Sequence, residues 1–373
     1  MTTNQIYGLV NAVNSEAFGS AAVAVVDTST LISLGTTVLS SSTNTEGFLN
    51  ALAQRIGRTI LRYREYRNKL GDMVINDFEY GAILQKIKVE MPDAEADESY
   101  GLTDGSSVDM YKVAKPSVKQ KLFVTRTPYQ YKVTIQTKNL KEAFLSAEAM
   151  GAFISAVYGE VRNAIEVGLE NLARVTLATA IAETSGTGRL INLKTAYTAA
   201  GGTAPATLAE ALRTENFLRF AIQTINNYID AFQDMSAAYN DGTVETFTNR
   251  DNLRLRVLSS FQRALETQVE YAAFHEQFVR PDADYLTRLT FWQGQQTPEK
   301  VMIKRPSDAT NTTVNGVLAL LHDRDAMGVY KFDEYVSTTP ENSAGLYRNT
   351  YYHEQQLRFI DPSENFVVFN YAS

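Results

Sequence analysis

The sequence predicts an α+β protein with one spine-like helix and one long charged hairpin. Three observations lead there. The first is a helical period. Met150, Ile154, Val157, Val161, Ala164, Ile165, Gly168, Leu169, Leu172, Val175 and Thr179 recur at steps of three and four, with Glu160, Asn163, Glu166, Glu170, Asn171 and Arg174 between them. The second is a reversal of charge: Pro92–Met110 holds six acids and no Lys or Arg, and Tyr111–Ile135 holds six bases and no acid. The third is a mixture of short helical and alternating segments after residue 186, ending in strand-like runs at 346–371.

The helix is the organising element. From Ala147 to Ala182 it is about 54 Å long. A compact globule of this chain length, with a radius of gyration of about 21 Å, is no wider. Such a helix runs along an edge of a flat or elongated molecule. Ser146 is the N-cap and Glu148 sits in the positive first turn. Gly151, Gly159 and Gly168 each cost about 1 kcal/mol against Ala and point to close packing or a bend. Two helices with a corner near Gly151 or Gly159 are the alternative.

Composition narrows the class. A chain of 373 residues has room for two or three domains and a large core. It has no cysteine, so a disulfide framework, a thiolate nucleophile and a cysteine metal site are excluded. A net charge of −7 argues against a dedicated nucleic-acid binder. Met1–Val10 lacks the basic start and apolar run of a secretory leader. The apolar run Ala21–Val26 ends at Asp27, far too short for a bilayer. No membrane partner is expected.

Taken in order, residues 1–47 are rich in Ser, Thr, Ala, Asn and Gly and read as an extended arm, not a core segment. A helix starts near Asn44-Thr45-Glu46, with Phe48, Leu49, Leu52, Ile56, Ile60 and Leu61 as its apolar stripe. Arg55, Arg58, Arg62, Arg64, Arg67 and Lys69 face a single acid, Glu65. They read as a solvated helix face, as a receiver for a neighbour's acidic surface, or as a contact for packaged nucleic acid. Residues 80–135 form a long two-stranded excursion. Its tip region holds Asp93, Glu95, Asp97, Glu98, Asp104 and Asp109, and its returning arm holds Lys112, Lys115 and Lys119. Two strands alone are marginal in water, so the hairpin is expected to lie on something else, most simply a neighbouring subunit. The runs near 80–90 and 123–137 are candidates to pair with the tail at 346–371.

The search for chemistry returns no catalytic constellation. His275-Glu276 and His353-Glu354 lack the second histidine of a zinc-protease helix, and His322 stands by itself. Gly186-Thr187-Gly188-Arg189 lacks the spacing of a phosphate loop. The acids between Asp93 and Glu98 lack the spacing of a calcium loop. No enzyme activity, cofactor or metal is expected.

The order of parts carries a resemblance. An arm, a basic helix, a charged hairpin, a spine helix, a mixed domain and returning strands follow one another. That order resembles the major capsid protein of tailed bacteriophages, the Hong Kong 97-like capsid fold. Four strings are similar to that family: FEYGAILQKI (78–87), VTIQTKNLKEAF (133–144), FHEQFV (274–279) and YRNTYYHEQQLRFIDPSENFVVF (347–369). A same-fold encapsulin-type compartment and another phage structural protein of the tail are the alternative readings.

The resemblance implies an α+β fold with an N-terminal arm, an extended β-hairpin loop, a long spine helix, and peripheral and axial domains. It places the arm and basic helix at 1–75 and the peripheral-domain strands at 76–137, with the extended loop at about 85–132. The spine helix falls at 138–185, the axial domain at 186–330 and the returning strands at 331–373. It implies self-assembly into hexamers, pentamers and a closed icosahedral shell enclosing double-stranded DNA, in a virion assembled in the bacterial host cytoplasm. The implied partners are the chain itself, portal and scaffolding proteins, and packaged DNA met non-specifically on the inner surface. The acidic tip would reach over an adjacent subunit, with the bases of 55–69 as candidates to receive it. Some relatives cross-link Lys to Asn between subunits. Lys112, Lys115 and Lys119 are the candidate donors here and Asn342 and Asn349 the candidate acceptors, and nothing in the sequence selects a pair.

Overall fold

The computed structural model describes residues 2–19, 22–56, 66–75, 84–92, 94, 97–111, 113, 115, 117–270, 281–305, 308–332 and 334–372. Most of FEYGAILQKI and all of FHEQFV therefore lie outside the described residues.

The chain opens with helices α1 (Thr3–Phe18), α2 (Thr28–Leu39) and α3 (Ser42–Ile56), then strands β1 (Val74–Ile75), β2 (Leu84–Val89), β3 (Val118–Phe123) and β4 (Thr127–Gln136). Helices α4 (Thr137–Ala143), α5 (Ala147–Ile154) and α6 (Glu160–Glu183) follow. Next come β5 (Leu190–Asn192), α7 (Leu193–Ala199), α8 (Leu208–Ala211), α9 (Glu215–Ala231), β6 (Leu253–Leu258), α10 (Ser259–Leu265) and β7 (Leu286–Leu289). The remaining strands are β8 (Val301–Ile303), β9 (Thr312–Val314), β10 (Val317–Asp323), β11 (Met327–Lys331), β12 (Tyr335–Thr338), β13 (Tyr347–Ile360) and β14 (Phe366–Asn370). The chain divides into two compact units. One comprises Met1–Glu79, Arg126–Leu177 and Gly328–Arg358, and the other Tyr80–Thr125, Ala178–Met327 and Phe359–Ser373.

In the first unit, most of residues 1–47, expected as an extended arm, is helical. Thr2 N donates to Gln5 Oε1 at 2.9 Å in a capping box at the start of α1. Asp27 caps α2 by accepting from Thr30 N at 2.8 Å, and the hydrogen bonds from Thr30 and Ser29 hold its carboxyl below the ordinary range. Ile6, Val10 and Val13 of α1 and Leu31, Leu34 and Val38 of α2 are buried. They share one core with Phe48, Leu49 and Leu52 of α3, Leu140 of α4, Phe144, and Met150 and Ile154 of α5. The Ser/Thr-rich composition hides this, because small polar residues fill the outward positions and leave a narrow apolar face. Gly35 marks the closest approach of α2, since a Cβ there would sit 2.6 Å from Phe144 Cβ.

The expected long helix is present, with an insertion. Ser146 Oγ accepts from Ala149 N at 3.1 Å to cap α5. A π-type turn, Ser155–Gly159, then leads into α6, and Ser155 and Glu160 on either side of the join both keep right-handed helical angles. The stretch therefore runs on through an extra residue in one turn, without a corner at Gly151 or Gly159. On α6, buried Glu170 and Arg174 pair at 2.7 Å. Glu170 Oε2 also accepts from Tyr66 Oη at 2.6 Å and Lys69 N at 3.2 Å, which ties residues 66–69 to the helix. Burial pushes the Glu170 carboxyl up, but the hydrogen bonds from Tyr66, Arg174 and Lys69 outweigh it and hold it below the ordinary range.

The tail strand β13 pairs antiparallel with β4 from Tyr347↔Gln136 to Gln356↔Thr127, as the run at 123–137 predicts. The run near 80–90, also expected to join the tail, forms β2 and pairs with β3 instead. β13 also pairs with β12, and the parallel β1–β11 pair completes that sheet. The second unit is built on a five-stranded sheet of order β5-β14-β10-β6-β7. Every residue of β6, β10 and β14 is buried. Trp292 Nε1 donates to Val317 O at 2.9 Å, and the α9 face of Phe217, Ala221, Ile225 and Ile229 is buried, with Phe217 edge-on to Tyr371. Gly316 has φ +66, and a Cβ there would overlap the Tyr371 carbonyl.

The helical N-terminal segment carries a prediction. Leu31→Ala removes a fully buried side chain and is expected to lower stability by about 2–5 kcal/mol in urea denaturation. A surface arm would tolerate the change within about 0.5 kcal/mol.

Candidate inter-subunit site

The hairpin is the element that the sequence singles out for contact. Its two strands pair, but it is shorter than the expected 80–135, because 127–136 turns away as β4 to join β13. β2 and β3 are antiparallel, with Leu84↔Phe123, Lys86↔Lys121, Lys88↔Lys119 and Val89↔Val118 directly opposite. Strand alternation therefore puts the lysines of Lys86-Ile87-Lys88 and Lys119-Gln120-Lys121 on one face together with Leu84 and Phe123.

That face lies on its own unit. Phe123 packs against Phe359 with ring centroids 5.5 Å apart. Lys86 Nζ lies 3.1 Å from Asp361 Oδ2 and 3.1 Å from Glu364 Oε1, and donates to Asp325 O at 2.6 Å. Lys88 Nζ reaches Glu364 Oε2 at 3.0 Å and Ser363 O at 2.9 Å. Lys121 Nζ reaches Asp361 Oδ1 at 2.9 Å. Lys119 pairs with Glu90 at 2.5 Å and donates to Thr243 O. Asp361 is the buried centre, and its Oδ1 also accepts from Ser363 N at 3.1 Å and Ser363 Oγ at 2.7 Å. Burial alone would raise this carboxyl. The Ser363 and Lys121 hydrogen bonds and the charges of Lys86 and Lys121 overcome that and hold it well below the usual carboxylate range. Burial likewise opposes the Lys86 ammonium, and Glu364 and Asp361 raise it nonetheless.

The candidate residues are placed as follows. Asp97 caps the short turn Glu98–Gly101 by accepting from Ser99 N at 2.9 Å, and Ser99 holds its carboxyl below the ordinary range. Asp104 is exposed, and Asp109 is exposed and accepts from Tyr111 N at 2.9 Å. Lys115 is exposed, whereas Lys119 belongs to the lysine face. Arg67 is exposed beside Tyr66, whose N–H donates to Asn163 Oδ1 at 3.1 Å. Arg55 closes α3 and Glu98 opens its turn, but their side chains lie outside the described residues, as do Asp93, Glu95, Lys112, Arg58, Arg62 and Arg64 altogether. Lys86, Lys88, Asp361 and Glu364 escaped the sequence reading. The available signal was the matched Lys-x-Lys spacing on two facing strands.

Among the described residues, no group of three or more His, Cys, Asp or Glu side chains is placed to hold a metal ion. No helix among them is long and apolar enough to cross a membrane. His322 is buried, with Nδ1 2.7 Å from Asp323 O and Nε2 accepting from Arg256 Nε at 3.4 Å, a packing role within the sheet. His353 stacks beside Tyr351. His275 lies outside the described residues.

Removing the Asp361 charge while keeping its shape, as Asp361→Asn, is expected to speed tryptic cleavage after Lys86, Lys88 and Lys121 at least about tenfold, since a charged hydrogen bond is worth about 1.5–3 kcal/mol. The pH dependence has two edges. A depressed carboxyl stabilises fully above its unfolded value near pH 4 and loses that contribution as pH falls through its folded value. A raised ammonium stabilises fully below about pH 10 and loses its contribution above. Hydrogen-exchange protection of the β2–β3 amides, corrected for intrinsic rates, is therefore expected to be flat from about pH 5 to 9 and to fall in stronger acid.

The family model described as Phi29-like phage major capsid protein matches residues 10–370. The major capsid protein of Bacillus phage PZA is 22% identical over 365 residues, covering 97% of this chain and 72% of that protein. That of Bacillus phage B103 is 23% identical over 370 residues, with the same coverage of 97% and 72%. Among solved structures, the capsid structure of Staphylococcus phage Andhra is similar at a TM-score of 0.55 and 12% identity, covering 84% of this chain and 87% of that one. The capsid structure of the Cyanophage P-SCSP1u is similar at a TM-score of 0.50 and 12% identity, covering 84% and 91%. At those identities the structural likeness speaks for the fold: this chain has the architecture of phage capsid subunits.

Proposed function

Because the chain belongs to the Phi29-like phage major capsid protein family, we propose that it assembles through hexamers and pentamers into an icosahedral shell enclosing double-stranded DNA. Membership itself makes it a structural protein of the virion, a shell-former and not an enzyme. The encapsulin-type compartment and the tail component give way, because the matches are to major capsid proteins. The observation that carries the reading is a family match spanning nearly the whole chain.

The finer assignments follow from the same premise. Residues 76–137 supply peripheral-domain strands and the extended loop, with β2 and β3 as its base. Residues 138–185 supply the spine helix, 186–330 the axial domain and 331–373 the returning strands. The split of the tail favours this reading: β13 joins the sheet of β4, and β14 joins that of β10. Heterologous contacts that close into rings make capsomers, and many weak contacts repeated around a shell add up to a stable particle. Portal and scaffolding proteins act as assembly partners, DNA is met non-specifically on the inner surface, and assembly takes place in the host cytoplasm. The hairpin clasps an adjacent subunit, and its exposed tip region at 97–111 is free to do so.

The test is to express the chain with and without a co-expressed scaffolding protein and image it by negative-stain electron microscopy beside light scattering. Closed shells, or rings of six and five subunits, are expected. Open tubes or unassembled subunits under both conditions would overturn the closed hexamer-and-pentamer geometry.

A further inference from the structure

One face of the three strands β12, β13 and β4 is built of rings and cations. Register and strand alternation set Tyr335, His353 and Gln130 side by side, and next to them Ser337, Tyr351 and Lys132. The rings form a row. The centroids of Tyr335 and His353 lie 6.1 Å apart with the rings 36° from parallel, and those of His353 and Tyr351 lie 6.2 Å apart at 22°. Ser337 Oγ sits 3.3 Å from His353 Nε2 and steadies the central ring. At one end of the row Lys132 Nζ lies 5.8 Å from the centre of Tyr351. At the other end Arg126 Cζ lies 3.9 Å from the centre of Phe332, and Arg126 Nη1 donates to Gln355 Oε1 at 3.2 Å. A cavity of about 370 Å³ opens there, with Arg126, Phe332, Tyr335, His353 and Gln355 in its lining, a volume that seats a small ring system. The face meets solvent: Tyr335 is 68% exposed, and Gln130, Lys132 and Gln355 are exposed. None of its strand residues is Asp or Glu. Glu354 alternates to the other face, where Lys331 Nζ lies 3.0 Å from its Oε1.

We propose that this face binds single-stranded nucleic acid, with unpaired bases stacked on the Tyr335–His353–Tyr351 row and phosphates set against Lys132 and Arg126. Two observations select that partner. The first is charge. The chain as a whole carries −7, but this face offers two cations and no strand acid, so it complements an anion. The second is the row itself, which suits a ligand that presents several flat apolar faces in succession. Unpaired bases on a phosphate backbone have both properties, and an aromatic sheet face edged with cations is how single strands are held without sequence readout. A duplex supplies the phosphates but keeps its base faces inside its own stack, so it reaches the cations and not the row. A neutral glycan stacks on rings but gains nothing from the two cations. The inference does not rest on the shell reading, whose duplex DNA meets the protein through phosphates alone.

The test uses the full chain as unassembled subunits. Fluorescence anisotropy follows a labelled oligothymidine of about twelve nucleotides, within the usual site size of such faces, beside a duplex of equal length and inorganic polyphosphate. The single strand is expected to bind at least about tenfold more tightly than either. Tyr335→Ala, at an exposed position, keeps the subunit's thermal transition and is expected to weaken binding about five- to a hundredfold. Tyr335→Phe, which keeps the ring, is expected to bind as the wild type does. Lys132→Gln is expected to lower the log–log salt slope by about 0.7. No binding of the oligothymidine overturns the inference. So does equal affinity for duplex or polyphosphate, or a Tyr335→Ala variant that binds as tightly as the wild type. Self-association of subunits that Tyr335→Ala abolishes, with no oligothymidine bound, overturns it and assigns the face to a second copy of the chain. Shell formation is read separately by microscopy, so the capsid reading stands or falls on its own result.

Discussion

One buried carboxylate carries the hairpin. Asp361 accepts from Lys86, Lys121 and Ser363, and each of these donors stabilises the ionised form against the cost of burial. Two strands by themselves bury too little surface to persist in water. This pair persists because its inner face is clamped by lysines, with Leu84 buried and Phe123 packed against Phe359. A buried charge is retained where removing one partner leaves the other stranded. That condition holds here, since the four lysines converge on a few carboxylates and backbone carbonyls. The same arrangement leaves the aliphatic face of the ribbon exposed.

A second polar anchor serves the long helix. Glu170 and Arg174 are both buried on α6 and pair with each other one turn apart. Glu170 has further capacity to accept, and Tyr66 and the Lys69 amide use it. Tyr66 and Lys69 are thereby attached to the helix through a carboxylate. The extra residue at Ser155–Gly159 shifts the helical register between α5 and α6. Above it, Met150 and Ile154 face the core shared with α1, α2 and α3. Below it, Val161, Ile165 and Leu169 continue a buried row. An inserted residue rotates the faces relative to each other by about a quarter turn, which a strict period read from the sequence does not show.

Two local features decided how much could be read in advance. Where apolar residues alternate or recur strongly, as in α6 and the β4–β13 pair, the elements appear where the pattern puts them. Where side chains are small, as in residues 1–47, the pattern is thin. Val10, Val13, Leu31 and Val38 share their core with Phe48 and Phe144, and Phe144 approaches α2 closely only because Gly35 has no side chain.

The sequence by itself determined the long helix, the charged two-stranded excursion and the strand-rich tail, because each rests on local periodicity or on residue types and their spacing. Tertiary structure alone decided which face of the hairpin turns inward. Alternation specifies that lysines and aliphatic residues occupy opposite faces, and it is silent on which is buried. The deciding group, Asp361, lies more than two hundred residues further along the chain, and only folding brings it within hydrogen-bonding reach of Lys86 and Lys121.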